Sequence, residues 1–400
     1  MMSFVATASA LAPLIVHPHP SGWLELRLNR PEKLNALSLE LVDALTDQVA
    51  DASSADVCGV LLSAAPGRAF CAGGDISQVA SLPLAKGQAF LNREYRLMMA
   101  LHEIGRTKPV VALADGFVIG AGAGLFMAAS HRASTLASSF SMPECVLGIV
   151  PDCGATDWLQ SAAMPEHLGQ WAALTGARLA APMMASTGLT THIVSGETAA
   201  EASTAADELR ARLLSCEDAA AVDAALADEE FVAAAVAEFV GEETLMSLDA
   251  AAARTFGAGL VGLDERLQAE KAAAQAAGDD IVLSWANDSR AKLARGCPAA
   301  LLVAYECALA GRSLGSDGAL ETTTKAAQAR RRSLALGMEY AANSLLAGRP
   351  DFQEGVACAV GGKKGAPPQW AHPSIEAAAE DPALQEVLER VASADPLALA

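Results

Sequence analysis

The 400-residue sequence predicts an α/β fold followed by a helical C-terminal region. Short apolar strands alternate with amphipathic helices through the first half. Two glycine-rich turns each follow a strand and open a helix. From Gly196 onward the composition turns Ala-rich and acidic, with almost no strand signal.

The elements follow in chain order. The alternation Leu24-Glu25-Leu26-Arg27-Leu28 within residues 13 to 29 predicts a half-buried strand. Ser38 is a predicted N-cap for a helix that puts Leu41, Leu45 and Val49 on one face. The run from Val57 to Ser63 suits a strand covered on both faces, and Cys71-Ala72-Gly73-Gly74-Asp75 follows it. Residues 84 to 106 read as a helix, Val110 to Ala114 as a strand ending at Asp115-Gly116, and Gly120 to Gly124 leads into an apolar helix over Leu125 to Ala129. One more strand is expected over Arg132 to Met142, stopped by Pro143. Beyond Gly196 the expected helices include Asp279 to Ala310 and Ser333 to Ala347, with a loop at 312 to 322. The expected division is a flexible N-terminus (1–12), the α/β core (13–200), a helical extension with C-terminal helices (201–365) and a loosely structured, Pro-rich tail (366–400).

Composition excludes whole classes of function. Apolar residues make up 52% of the chain, ample for a packed core, and the net charge of −19 argues against nucleic-acid and anionic-membrane partners. The first 110 residues hold nine Lys and Arg against ten Asp and Glu, so an anionic ligand is best tolerated there. Eight cysteines without a CxxC pair or zinc spacing point to a reducing, intracellular compartment, mitochondrial matrix or cytoplasm, and no metal is expected. The first 26 residues lack Lys and Arg, which fits neither a secretory leader nor a spanning helix.

Backbone N–H groups at glycine turns before helices are the simplest device for binding an oxyanion, and Ala72-Gly73-Gly74-Asp75 and Ile119-Gly120-Ala121-Gly122 are two such turns. The second, with Glu144 further on, also mimics a dinucleotide fingerprint, but Leu125 stands where a third small residue is required. The segment Ser141 to Gly154, with Pro143 and Pro151, is a predicted loop that holds Glu144 and Asp152 among apolar neighbours. Desolvation there raises a carboxyl pKa, and two carboxyls in one pocket can divide acid and base roles. Cys71, Cys145 and Cys153 are expected to be packing residues.

Four co-linear motifs, Asn29 to Leu37, Arg68 to Ile76, Lys108 to Gly116 and Met142 to Gly154, resemble those of the crotonase (enoyl-CoA hydratase/isomerase) superfamily, with a further match at Phe352 to Val356. The resemblance implies a spiral of ββα repeats binding an acyl-CoA, with no separate cofactor because coenzyme A is part of the substrate, and a possible homo-oligomer. It implies an oxyanion hole from the N–H groups of Gly74 and Ala121, and contact between the Lys33-Leu34-Asn35-Ala36 segment and adenine. Hydratases of the family carry one catalytic glutamate where this chain has Gly124. The Pro-Asp-Cys-Gly around Asp152, Gly73 to Ile76 and Arg93-Glu94-Tyr95 resemble the branch of 3-hydroxyisobutyryl-CoA hydrolases, enzymes of valine catabolism. That branch implies Glu144 as nucleophile or general base, Asp152 handling protons and the 3-hydroxyl, Glu94 lining the acyl pocket, and Asp75 and Ile76 in substrate binding. Enoyl-CoA isomerase or hydratase activity and a non-catalytic CoA-binding role are the alternatives.

Overall fold

The computed structural model describes residues 12–161, 164–196, 198–228, 232–233, 240–314 and 324–392. They form two compact units built from interleaved segments. Of the described residues, the first takes those up to Asp75, Arg93–Phe140 and those from Leu179 to Val240; the second takes Ile76–Asn92, those from Ser141 to Arg178 and those from Gly241 onward. Each unit therefore joins stretches that lie far apart along the chain.

In the first unit, residues 13 to 29 form a hairpin of two strands, β1 (Leu14–Pro18) and β2 (Trp23–Leu28), and not the single strand expected. Gly22, at φ +89°, makes the reversal that the alternation of β2 does not announce. Parallel strands follow: β3 (Gly59–Ala64) pairs with β2, and β5 (Val110–Ala114) with β3. Every residue of β5 and nearly every residue of β3 is buried, which is why both read as unbroken apolar runs. Each of these strands turns at once into a short strand of a second sheet, β4 (Ala69–Cys71) after β3 and β6 (Phe117–Ile119) after β5.

The same corner explains the third pair. The strand expected over Arg132 to Met142 is two strands, β7 (His131–Ser134) in the large sheet and β8 (Ser139–Ser141) in the small one. The bend between them is held by side chains: Thr135 Oγ1 donates to Asp115 Oδ1 (2.6 Å) and Ser138 Oγ to the Ala114 carbonyl (3.0 Å). With β9 (Leu179–Ala180), β10 (His192–Val194) and β11 (Val232–Ala233), the large sheet runs β1-β2-β3-β5-β7-β10-β11 and the small one β4-β6-β8-β9. The repeat is strand, strand, helix.

The N-cap at Ser38 forms as expected: its Oγ accepts from Leu41 N at 3.2 Å, and helix Leu39–Asp51 buries Leu41, Val42, Leu45 and Val49. Helices Ala199–Leu214 and Ala219–Leu226 join Trp23, Leu61 and Val111 in one apolar core through Leu209, Leu213, Val222 and Leu226. Under the first of these helices lies Glu25, fully buried. Its two carboxylate oxygens accept from Arg210 Nε and Nη2 at 2.5 Å each, and Ser63 Oγ adds a third bond at 2.6 Å. Burial by itself raises the Glu25 pKa, but the Arg210 and Ser63 bonds outweigh it and leave the carboxyl below its usual value. Removing one partner of such a pair strands a charge, so Arg210→Met is expected to cost about 3 kcal/mol in urea unfolding. A lowered folded-state pKa means that the stabilisation exists above the ordinary carboxylate range and is lost on acidification through the folded value. A wild-type advantage over Arg210→Met that does not shrink in acid would contradict this account.

The second unit is helical. The helix expected over Asp279 to Ala310 is two, Asp280–Leu293 and Pro298–Ser313: Pro298 pushes Cys297 into extended backbone and takes the first position of the new helix. Trp285 is core, with its ring centroid 6.0 Å from that of Trp171 and 6.1 Å from that of Phe256. Helix Lys325–Leu346 starts eight residues earlier than Ser333, capped by Thr324. Most of the loop expected at 312 to 322 falls outside the described residues. The tail beyond 365 is not loosely structured throughout: helices Ile375–Ala379 and Pro382–Ala392 follow it, and the latter buries Leu384, Val387 and Val391 against helices Pro298–Ser313 and Lys325–Leu346. Their apolar spacing was masked in the sequence by flanking prolines. Among the described residues no helix is long and apolar enough to cross a membrane.

Candidate active site

In the first unit the two glycine turns lie against each other. A Cβ built on Gly73, at φ +95°, would sit 3.0 Å from the Ile119 carbonyl oxygen and 3.4 Å from the Ala121 nitrogen. A Cβ on Gly122 would meet the Cys71 carbonyl oxygen at 2.2 Å, so backbone touches backbone where β4 ends and helix Ala121–Ala128 begins. Ala121 is the first residue of that helix, where an N–H has no partner within the helix. Neither its amide nor that of Gly74 donates to an acceptor among the described residues. Both are donors available to a ligand.

The segment Arg30 to Leu37 is fastened to the first turn. The left-handed residues Leu34 and Asn35 bend it, the latter with both ends of its buried amide engaged: Oδ1 accepts from Arg30 N (2.8 Å) and Nδ2 donates to Ala69 O (2.9 Å). Ala72 N donates to Leu34 O, Leu37 N to Gly73 O and Asp75 N to Leu37 O, at 2.8 to 3.0 Å. The Arg30 guanidinium reaches Ala36 O (2.5 Å) and Asp75 Oδ2 (3.1 Å). Thus Leu34, Ala36, Asp75, Gly74 and Ala121 cluster in one place. Lys33 ends the 3-10 turn Pro31–Lys33 and is exposed. Asp75 is engaged by Arg30, which gives it a structural task besides the one inferred from sequence. Glu94, in the part of helix Leu84–Gly105 that belongs to the first unit, is 3% exposed and electrostatically felt by Cys71. Burial pushes the Cys71 thiol up to about 12, so it stays protonated and serves packing.

In the second unit the loop from Pro143 to Gly154 carries both acids, each nearly fully buried. Glu144 opens the 3-10 turn Glu144–Leu147, which Gly148 closes at φ +82°. Glu144 Oε2 has no hydrogen-bond partner among the described residues. Burial first, then the Asp152 and Glu339 carboxyls, raise the Glu144 pKa well above its usual value. The Asp152 end of the loop is gripped by helix Lys325–Leu346. Asn343 Oδ1 accepts from Val150 N (2.9 Å), while Nδ2 donates to Val150 O (3.0 Å) and Asp152 Oδ2 (3.1 Å). One turn earlier, Glu339 accepts from Gly154 N and Thr156 N, both at 2.7 Å. These two residues were not singled out from sequence as site residues. The available signals were the resemblance of Met338-Glu339-Tyr340 to the hydrolase branch and a polar pair four residues apart beside the buried Ala335, Leu336 and Ala342. Ile76 opens the short helix Ile76–Ala80 of this unit. Among the described residues no cluster of His, Cys, Asp and Glu suits a metal ion.

Comparison with known proteins places the chain. Residues 24–387 match the family Enoyl-CoA hydratase/isomerase, and the chain belongs to that family. Over 175 residues it is 36% identical to a probable 3-hydroxyisobutyryl-CoA hydrolase of Arabidopsis thaliana, covering 42% of this chain and 45% of the relative. Over 176 residues it is 36% identical to the mitochondrial 3-hydroxyisobutyryl-CoA hydrolase of Mus musculus, covering 43% and 45%. The chain thus aligns with less than half the length of these curated relatives. A carnitinyl-CoA dehydratase from Mycobacterium thermoresistibile has a similar structure (TM-score 0.74, 25% identity), with 95% of this chain and 96% of that one covered. An enoyl-CoA hydratase from Rhodobacter sphaeroides gives a TM-score of 0.72 at 28% identity, with 94% and 97% covered. The fold is the crotonase spiral of ββα repeats extended by C-terminal helices.

Proposed function

We propose that this chain hydrolyses an acyl-CoA thioester, with 3-hydroxyisobutyryl-CoA of valine catabolism as the preferred substrate. One observation carries the reading. The loop that bears Glu144 supplies a second buried carboxyl, Asp152, held by Asn343, whereas helix Ala121–Ala128, in which hydratases of the family carry their other glutamate, holds Gly124 among wholly buried apolar neighbours. Adding water across a double bond requires one group to activate the water and another to supply a proton to the adjacent carbon, the two roles that the paired glutamates of the family's hydratases fill. Cleaving a thioester requires an oxyanion site, a nucleophile or base, and a proton donor for the leaving thiolate.

In this reading the Gly74 and Ala121 amides receive the carbonyl oxygen as it gains charge. Glu144 either attacks the carbonyl carbon, expelling coenzyme A and leaving a mixed anhydride for water to cleave, or removes a proton from the attacking water. Asp152 transfers protons and accepts a hydrogen bond from the substrate's 3-hydroxyl. Glu94 lines the acyl pocket, the Lys33–Ala36 segment binds the coenzyme A end, and Asp75 and Ile76 take part in substrate binding. The names of the hydrolase relatives support the substrate.

The dehydratase and hydratase structures favour a second reading, hydration or isomerisation of an enoyl-CoA. A thiol-trapping assay over 3-hydroxyisobutyryl-CoA, 3-hydroxypropionyl-CoA, isobutyryl-CoA and crotonyl-CoA separates the two. Hydrolysis releases free coenzyme A, fastest from the branched 3-hydroxy substrate. Loss of the enoyl absorbance of crotonyl-CoA without free thiol would establish the second reading in place of the first.

A further inference from the structure

Helix Lys325–Leu346 does more than pack. Its buried residues Glu339 and Asn343, one turn apart, are hydrogen-bonded to the segment Val150–Thr156, on either side of Asp152 and to Asp152 itself. We propose that Glu339, with Asn343, is a positioning residue for the Glu144 and Asp152 pair, fixing the loop that carries Asp152 and setting a third carboxylate within electrostatic reach of both. The proposal deepens the hydrolase reading and rests on it.

The bonds argue for charge as well as shape. Each Glu339 oxygen accepts a backbone N–H at 2.7 Å, the arrangement an ionised carboxylate satisfies and a carboxylic acid satisfies less well. Cys153 sits at φ +59° and Gly154 at φ +96°, two consecutive left-handed residues directly after Asp152, and Glu339 accepts from the amides of Gly154 and Thr156 at that bend. Burial opposes the charge and pushes Glu339 up to about 8, with the two amides pulling the other way and Asp152 adding repulsion. Glu144 and Asp152 face Glu339 from the loop and Cys307 from helix Pro298–Ser313, while Cys145 and Glu306 lie one neighbour further out, beside Glu144 and Cys307 respectively. Arg332, two turns earlier on its own helix, packs on Gly154 and is paired with Asp157.

Three acids so placed titrate as a set, and removing one lowers the pH at which the others ionise. Glu339→Gln keeps the volume and deletes the charge, at the cost of one of the two amide contacts, where its NH2 faces a backbone N–H. It is expected to lower kcat for thioester hydrolysis about 10-fold with KM nearly unchanged, and to move the acid limb of the pH profile down by about one unit. A purely structural brace would lower kcat and leave the limb where it is, which would overturn the proposal. A second readout needs no turnover: the titration of the Glu144 carboxyl by 13C NMR in Glu-labelled protein, assigned by its loss in Glu144→Gln. The midpoint is expected to fall in Glu339→Gln; an unmoved midpoint overturns the proposal. Wild-type protein that releases no coenzyme A while this midpoint still moves would sink the hydrolase reading alone. Should Glu339→Gln fail to fold, the near-isosteric Asn343→Asp places an added carboxyl beside Asp152, and the Glu144 midpoint must then rise; no rise again overturns the proposal.

Discussion

Replacing Glu144 by Gln is expected to lower the rate of thioester hydrolysis by about 1,000-fold or more, because the change removes the only role that the reading cannot reassign. Gln is isosteric and neither attacks a carbonyl nor takes a proton. The pH behaviour belongs to the same prediction. Burial and the neighbouring acids hold Glu144 protonated well above the ordinary carboxylate range, so wild-type activity should rise with pH along a limb displaced upward from that range. For stability the sign is reversed from the usual carboxylate. A raised folded-state pKa favours the fold below the unfolded value, and that contribution disappears as pH climbs through the folded value. Glu144→Gln escapes the cost of ionising a buried acid and should melt at the same temperature as wild type or higher, most visibly at alkaline pH. Circular dichroism melts and thiol release at several pH values test both parts. Residual hydrolysis near the wild-type level would remove Glu144 from the mechanism.

Gly122→Ala should be damaging for a different reason. The added methyl would lie 2.2 Å from the Cys71 carbonyl oxygen and 2.7 Å from its carbon, and both are backbone atoms that cannot rotate away. Relief requires β4 and helix Ala121–Ala128 to separate. The expected cost is about 2–4 kcal/mol in urea unfolding, in the range of a severe overpacking substitution. Separation also spreads the two turns that bear the Gly74 and Ala121 amides. Hydrolysis should therefore fall by about 100-fold or more even where the protein remains folded, the size of effect seen when one oxyanion donor is lost. A Gly122→Ala protein with wild-type stability would show that the contact is not as tight as its geometry.

Local chemistry made much of this chain legible. Ser38 caps the helix it was expected to cap, β3 and β5 are buried on both faces as their unbroken apolar runs require, and Trp285 lies in a core. Each of those signals is complete within a few residues of chain. The errors share a cause. The split of 132 to 142 into β7 and β8 depends on Asp115 and Ala114, some twenty residues upstream, accepting bonds at the corner. The helices beyond 370 exist because Leu384, Val387 and Val391 find partners on helices formed by earlier segments. The break at Cys297-Pro298 was open to inspection, since proline restricts the residue before it wherever it stands.

The candidate site divides in the same way. Glycine turns, a Pro-bounded loop and two acids are one-dimensional facts, and it was their place within four co-linear motifs resembling the crotonase superfamily that pointed to the family and to acyl-CoA chemistry. That the two turns press backbone on backbone, that Arg30 engages Asp75, and that Glu339 and Asn343 grip the Asp152 loop from some 190 residues away are outcomes of folding. Hydrogen bonds, burial and charge repulsion act over a few ångströms in space without regard to separation along the chain. A motif therefore specifies which groups are available, while packing decides which of them meet and which proton each one keeps.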